Sequence, residues 1–359
     1  MNWPSRSATL ERDDDIAWLP CPRGSRADDA DDADDAVTQS RTRRVALLAI
    51  VLLAACAPAD DDAPRLVVFN AGSLARPLAA ALDTFAARHG VRVEQQNGGS
   101  LEMARRITEL GAVPDVIALA DHEVFPTLLM PRYVRWYAAF ARNRMVLAYT
   151  DRSRAAGELT AENWWRVVQR SEIEVGHSEP DVDPAGYRAL LVFQLAEQYY
   201  AQPGLAERLR ASVPRRNIRP KSADLVALLQ TGALDYAWEY ESVARAAGLR
   251  YLRLPRAIDL SAPEDSARYA RASVRVAGRT PRDTITVRGE PIVYALAIPV
   301  AAPHPALAER FVAFLFSDEG RRILRAEQLD VLARPAVTGV GVPAGVAAAV
   351  DAAVAAAPR

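Results

Sequence analysis

The sequence is poor in cysteine, in long apolar runs and in net charge, and each shortage excludes something. Cys21 and Cys56 are the only cysteines among 359 residues. A chain processed at Cys56 therefore holds no disulfide and depends on its core for stability. The longest apolar run, Val45 to Ala55, has eleven residues, whereas a permanent membrane-spanning helix needs about 20. The formal charge is -1 with 50% of residues apolar, which excludes a strongly basic nucleic-acid binder and a wholly acidic disordered chain. His89, His122, His177 and His304 show no metal-ligand spacing. With no Walker loop and no Gly-x-Ser-x-Gly elbow, no catalytic triad, free-cation site or resident cofactor is expected.

The near-zero charge averages three unlike pieces. Residues 1–36 carry ten acids against four Arg, and residues 37–55 carry three Arg and no acid. Asp-Asp-Ala repeats cannot serve as a basic export region, so 1–36 reads as a mis-called or disordered leader, with translation starting near Val37. Arg41, Arg43 and Arg44 before the apolar run make 37–55 a signal peptide. The run ends Leu53-Ala54-Ala55-Cys56, which resembles a bacterial lipobox and implies that Cys56 is acylated. An acyl anchor holds a protein at a membrane surface while its body stays in water. The expected location is the cell membrane, facing periplasm or exterior, with 56–64 as a Pro- and Asp-rich tether.

Strand and helix patterns alternate through the body. Arg65–Asn70 and Val116–Ala120 are short apolar runs that read as buried strands, and Val91–Glu94 alternates. Between them lie stretches with Leu78, Leu82 and Phe85, and with Leu101, Ala104, Ile107 and Leu110, at helical spacing. That order predicts an α/β protein with parallel strands. Further strands are expected at 144–150, 234–238 and 292–298, and helices at 187–200, 224–231 and 306–315. Residues 336–359 read as a loosely packed Ala-rich tail.

Two strand–Gly-Ser-Leu–helix units place Ser73 and Ser100 at helix starts. Unpaired N–H groups and the positive dipole end there suit a small oxyanion, although Gly-Ser before a helix is equally an ordinary cap. Gly176–Arg188 gathers Glu179, Asp181 and Asp183 with two Pro just before a helix. It reads as a calcium loop without EF-hand spacing or as an Asp cap.

Asn70-Ala71-Gly72-Ser73-Leu74, the stretch around Phe140-Ala141-Arg142-Asn143, Asp183-Pro184-Ala185-Gly186-Tyr187-Arg188 and Leu234–Tyr240 together resemble the archaeal-type tungstate/molybdate receptors of ABC importers. The resemblance implies a two-lobed periplasmic-binding-protein type II fold with two crossover strands. The lobes it implies are 65–148 plus 293–335, and 149–292. It also implies a monomeric, non-enzymatic receptor that hands molybdate or tungstate to a permease. By position the ligand-binding residues are Gly72, Ser73, Ser100, Asp183, Pro184, Ala185, Ser222 and Tyr240. In the family two carboxylates bind the metal centre of the oxyanion, and Ser222 stands where one of them belongs. Asp183 is then the one carboxylate left to ligate the Mo or W centre, since Asp224 points away on its helix and Glu239 alternates to the other strand face. The expected oxyanion is near-tetrahedral, with five ligands at most. A receptor for sulfate or phosphate, or an exported hydrolase using the acidic loop, is the alternative.

Overall fold

The computed structural model describes residues 64–278 and 283–358. The segments read as a leader and a signal peptide, together with Cys56, lie outside the described residues. Thirteen strands among the described residues form two main sheets and a hairpin. The first sheet holds β1 (Arg65–Ala71), β2 (Arg92–Gly98), β3 (Val116–Leu119), β4 (Trp136–Arg142), β12 (Val293–Ala297) and β13 (Asp330–Gly339), in the order β13-β4-β12-β3-β1-β2. The second holds β5 (Met145–Tyr149), β6 (Val175–Ser178), β7 (Ile218–Arg219), β8 (Tyr236–Tyr240) and β9 (Arg250–Arg253), in the order β7-β6-β8-β5-β9. The hairpin pairs β10 (Ser273–Ala277) with β11 (Thr284–Arg288).

Within the first sheet β1, β2 and β3 run parallel, so their C-terminal ends share one edge. Helices follow the first two ends. Gly72–Leu74 forms a single turn that runs into α1 (Ala75–His89), and α2 spans Ser100–Thr108. Leu78, Leu82 and Phe85 are buried as their spacing predicts, and Gly90 at φ +61° closes α1 in the left-handed conformation. In the second sheet β6 is parallel to β7 and β8, which again collects strand ends on one edge. In chain order the next helices are α3 (Trp164–Val167), α4 (Pro184–Tyr199), α5 (Leu205–Ala211), α6 (Ala223–Thr231), α7 (Glu241–Ala246) and α8 (Ser266–Tyr269). Alpha-4 follows the end of β6 and buries Tyr187, Leu191, Phe193 and Leu195.

Two expectations need correction. The strand at 145–149 pairs with β8 and β9 of the second sheet, so an assignment of 65–148 to one lobe runs too far. The chain passes between sheets at Arg142–Met145, and returns between β11 and β12. The C-terminal stretch is no loose tail. Beta-13 pairs with β4, and after α9 (Pro305–Phe316) and α10 (Asp318–Ala326) comes α11 (Ala344–Ala355), with Val346, Val350 and Ala353 buried. The buried positions of α11 recur every third or fourth residue, an apolar stripe that the Ala-rich composition disguised as low complexity.

Candidate functional site

The strand ends of the two sheets meet. At the end of β3, the Ala120 carbonyl accepts a 2.7 Å hydrogen bond from Arg188 Nη1 of α4, and the same nitrogen donates to Tyr240 Oη at 2.7 Å. Arg188 Nη2 lies 3.2 Å from Asp121 Oδ2, and Tyr187 Oη donates to the same carboxylate. All of these side chains are buried. A second crossing runs through Asn143, in the passage between sheets. Its Nδ2 donates to Ser242 Oγ at 2.7 Å and Tyr294 Oη at 2.9 Å, and Tyr294 Oη donates to Ser73 Oγ at 3.1 Å.

Between these crossings lie the residues selected from the sequence. Ser73 and Ser100 are buried, and Ser100 Oγ accepts the Ala120 N–H at 3.0 Å, which leaves its own proton to donate. Asp183 caps α4, its Oδ1 accepting from Ala185 N at 3.3 Å. Its Oδ2 accepts from Ser222 N at 2.7 Å. The cap removes the reason for a calcium loop. Burial pushes the Asp183 carboxyl up to about 6, against the opposing pull of the Ser222 and Ala185 N–H groups. Pro184 and Ala185 are buried in the first turn of α4, and Gly72 sits in contact range of Lys221. Tyr240 is fully buried, held by Arg188 and packed edge-on to Tyr294 at 5.9 Å.

Some donors assigned to a ligand are already engaged. Leu101 and Glu102 N–H both reach the Val182 carbonyl, at 3.1 and 3.4 Å. Gly99 permits this contact, since a Cβ there would collide with the Val182 carbonyl. The Ala185 N–H serves Asp183. Two buried polar atoms near Asp183, Ser178 Oγ and Glu239 Oε2, have no hydrogen-bond partner, and Arg188 Nη2 has only its ion pair with Asp121. Buried polar atoms are ordinarily satisfied, so this grouping marks a place for a polar guest.

Glu239, in β8 beside Tyr240, is a further buried acid. It is 1% exposed. Beta-6 pairs with β8 only at Tyr236 and Ala237, so that side of β8 is open beyond them. The Glu239 carboxyl curls along the gap, and Oε1 accepts the Tyr240 N–H at 2.9 Å. Burial pushes this carboxyl up to about 8; the Tyr240 N–H and the Ser222 hydroxyl favour its charged form, while Asp183 opposes it. Alternation along β8 gives the face from which the side chain leaves, but not what its carboxyl reaches.

A model of the bacterial extracellular solute-binding protein family matches residues 66–327. The chain belongs to that family. A solute-binding protein of Petrotoga mobilis, uncharacterized, is 40% identical over 279 residues, which cover 77% of this chain and 87% of the relative. The molybdate/tungstate-binding protein WtpA of Pyrococcus abyssi is 33% identical over 329 residues, 82% of this chain and 94% of the relative. Among solved structures, the periplasmic molybdate-binding protein of Azotobacter vinelandii aligns with TM-score 0.51 at 18% identity, covering 74% of this chain and 98% of that one. The sulfate-binding protein SubI of Mycobacterium tuberculosis aligns with TM-score 0.51 at 13% identity, covering 82% and 92%. At those identities the structures speak for the fold alone, which is that of periplasmic binding proteins.

This solute-binding protein has one further group of potential ligands. Asp121, His122 and Glu290 bring ligand atoms within 4.8 Å of one another, which the sequence spacing of the histidines did not suggest. Asp121 there already accepts from Tyr187 and the Glu123 N–H and is ion-paired with Arg188. His177 adjoins Ser178, but its Nδ1 lies 2.7 Å from the Ser178 carbonyl oxygen and so serves the backbone. No nucleophile–base pair forms there. Among the described residues no helix is long and apolar enough to cross a membrane.

Proposed function

We propose that this chain is the extracytoplasmic receptor of an ABC importer and binds molybdate or tungstate between its two sheets. The observation that carries the reading is the cradle around Asp183. The side chain that begins α4 is tied to Ser222 at the start of α6, while Ser73, Ser100 and Tyr240 are buried as well, Ser100 and Tyr240 being linked through Ala120 and Arg188. These are the positions that the family resemblance assigns to the oxyanion. Similarity to the molybdate/tungstate-binding protein of Pyrococcus abyssi over most of both chains supports the same ligand.

In this reading the lobes are the two sheets with their helices, hinged at 142–145 and 289–292. The oxyanion is held by hydroxyls and by N–H groups of helix first turns, where no i−4 carbonyl competes. Arg188, tied to both sheets, fixes the closed arrangement. Closure buries the solute and presents one face to the permease. The receptor acts as a monomer, performs no catalysis, and is held to the membrane by an acyl group on Cys56.

Calorimetry on the soluble Cys56→Ser form with tungstate, molybdate, sulfate and phosphate tests this reading. The expected result is tungstate and molybdate binding at least a hundredfold tighter than the other two. Sulfate or phosphate binding as tightly as tungstate would replace the reading with a receptor for a simple tetrahedral oxyanion. Absence of binding across the whole panel would end it. Incorporation of labelled fatty acid into the parent but not into Cys56→Ser is expected if Cys56 carries the anchor.

A further inference from the structure

The resemblance leaves this site one carboxylate short, because position 222 is serine. A second buried acid nevertheless reaches the same place. Ser222 connects the two. Its N–H binds Asp183 Oδ2 at 2.7 Å, while its hydroxyl acts on Glu239. Asp183 and Glu239 are 5% and 1% exposed, and the Asp183 carboxylate acts on Glu239 electrostatically. Glu239 Oε2 is buried without a hydrogen-bond partner, although Oε1 is held by Tyr240 N–H.

We propose that Glu239 supplies the second carboxylate of the oxyanion site, so that Asp183 and Glu239 together ligate the metal centre and exclude sulfate. The proposal rests on the molybdate/tungstate reading above. A buried carboxylate pair with no cation of its own is costly, and the site keeps it where a neutral side chain would fold more easily. A hexavalent molybdenum or tungsten centre is large and hard, with orbitals open to further oxygen ligands. The sulfur of sulfate has no such capacity. Two carboxylates therefore attract the first kind of oxyanion and repel the second. In the binding step the ionised Glu239 carboxylate adds an oxygen lone pair to the metal. No bond to an oxo oxygen breaks, and any proton held on Glu239 beforehand passes to solvent.

The short hydroxyl at 222 fits this arrangement. Glutamate at both positions would crowd a third carboxylate into the site, whereas serine leaves room and supplies a donor. The acid has in effect moved from the start of α6 to the end of β8, the central strand of the second sheet, against which α6 packs.

The test uses the Cys56→Ser protein, X-ray absorption at the tungsten edge and calorimetry. The parent with bound tungstate is expected to show an octahedral oxygen shell. Glu239→Gln is nearly isosteric and keeps an acceptor for Tyr240 N–H, as its melting curve checks. It is expected to lose tungstate affinity at least tenfold and to shift the edge spectrum toward tetrahedral, with sulfate affinity unchanged or higher. Adding Ser222→Glu to Glu239→Gln is expected to restore affinity and the octahedral shell. A tetrahedral spectrum in the parent overturns the proposal and leaves the receptor reading standing. So does a Glu239→Gln protein that matches the parent in affinity and spectrum. A parent that binds neither tungstate nor molybdate overturns both.

Discussion

Arg188→Met gives the sharpest test of how the two sheets are held together. The guanidinium is 2% exposed and makes three contacts: the Ala120 carbonyl, Tyr240 Oη and Asp121 Oδ2. Methionine fills much of the same volume, so cavity formation contributes little. What remains is a buried Asp121 stripped of its cation. Breaking a buried ion pair from one side costs about 3–5 kcal/mol. Asp121 keeps the hydroxyl of Tyr187 and the Glu123 N–H at 3.0 Å, which places the loss near the lower limit, about 3 kcal/mol. Asp121→Asn alone strands the guanidinium instead and is expected to cost a similar amount. The double variant removes both charges, so its loss falls short of the sum by about 2 kcal/mol. Urea unfolding of the ligand-free Cys56→Ser protein measures all three, with unchanged m-values confirming a common unfolded state. A single-variant loss below about 1 kcal/mol, or simple additivity, would refute Arg188 as the buried clamp.

Further outcomes follow from the same coordinates. Asp183 and Glu239 have their carboxyl groups raised, to about 6 and about 8, so the folded chain binds more protons than the unfolded chain between about pH 4 and 8. Their contribution to ligand-free stability therefore declines as pH rises through that window. Glu239→Gln is expected to flatten the decline in a melting-temperature profile, and an unchanged profile would show that Glu239 is not the buried acid described. Val346 is fully buried in α11, so Val346→Ala is expected to lose about 1–3 kcal/mol in chemical denaturation. A loss near zero would return the C-terminal stretch to the status of a loose tail. Together with the oxyanion panel and the tungsten-edge comparison, these outcomes bear on both the fold and the site.

The local setting of several candidate residues was legible in the sequence, because it rests on short-range rules. Gly72-Ser73 and Ser100 follow strands and open helices, and Asp183-Pro184 is a cap followed by a residue suited to the first helical position. Each is a short-range pattern whose geometry the chain fixes within a few residues. The surroundings of Glu239 are a different matter, since they depend on where β6 stops, more than sixty residues earlier in the chain, and no local spacing records that. Beta-4, unread as a strand, and the C-terminal helix fared likewise, since their partners are remote.

The sequence by itself determined the alternation of strands and helices, the absence of a disulfide in a chain processed at Cys56, and the residues that begin the key helices. Those features depend on periodicity and on backbone preferences acting over single turns. Tertiary structure decided that Arg188 joins Ala120, Asp121 and Tyr240 across two sheets, and that Ser222 stands between the buried carboxyls of Asp183 and Glu239. Such facts arise when strand ends from distant parts of the chain arrive at a common edge. The electrostatics of a buried group depend on neighbours within a few ångströms, whatever their separation along the chain.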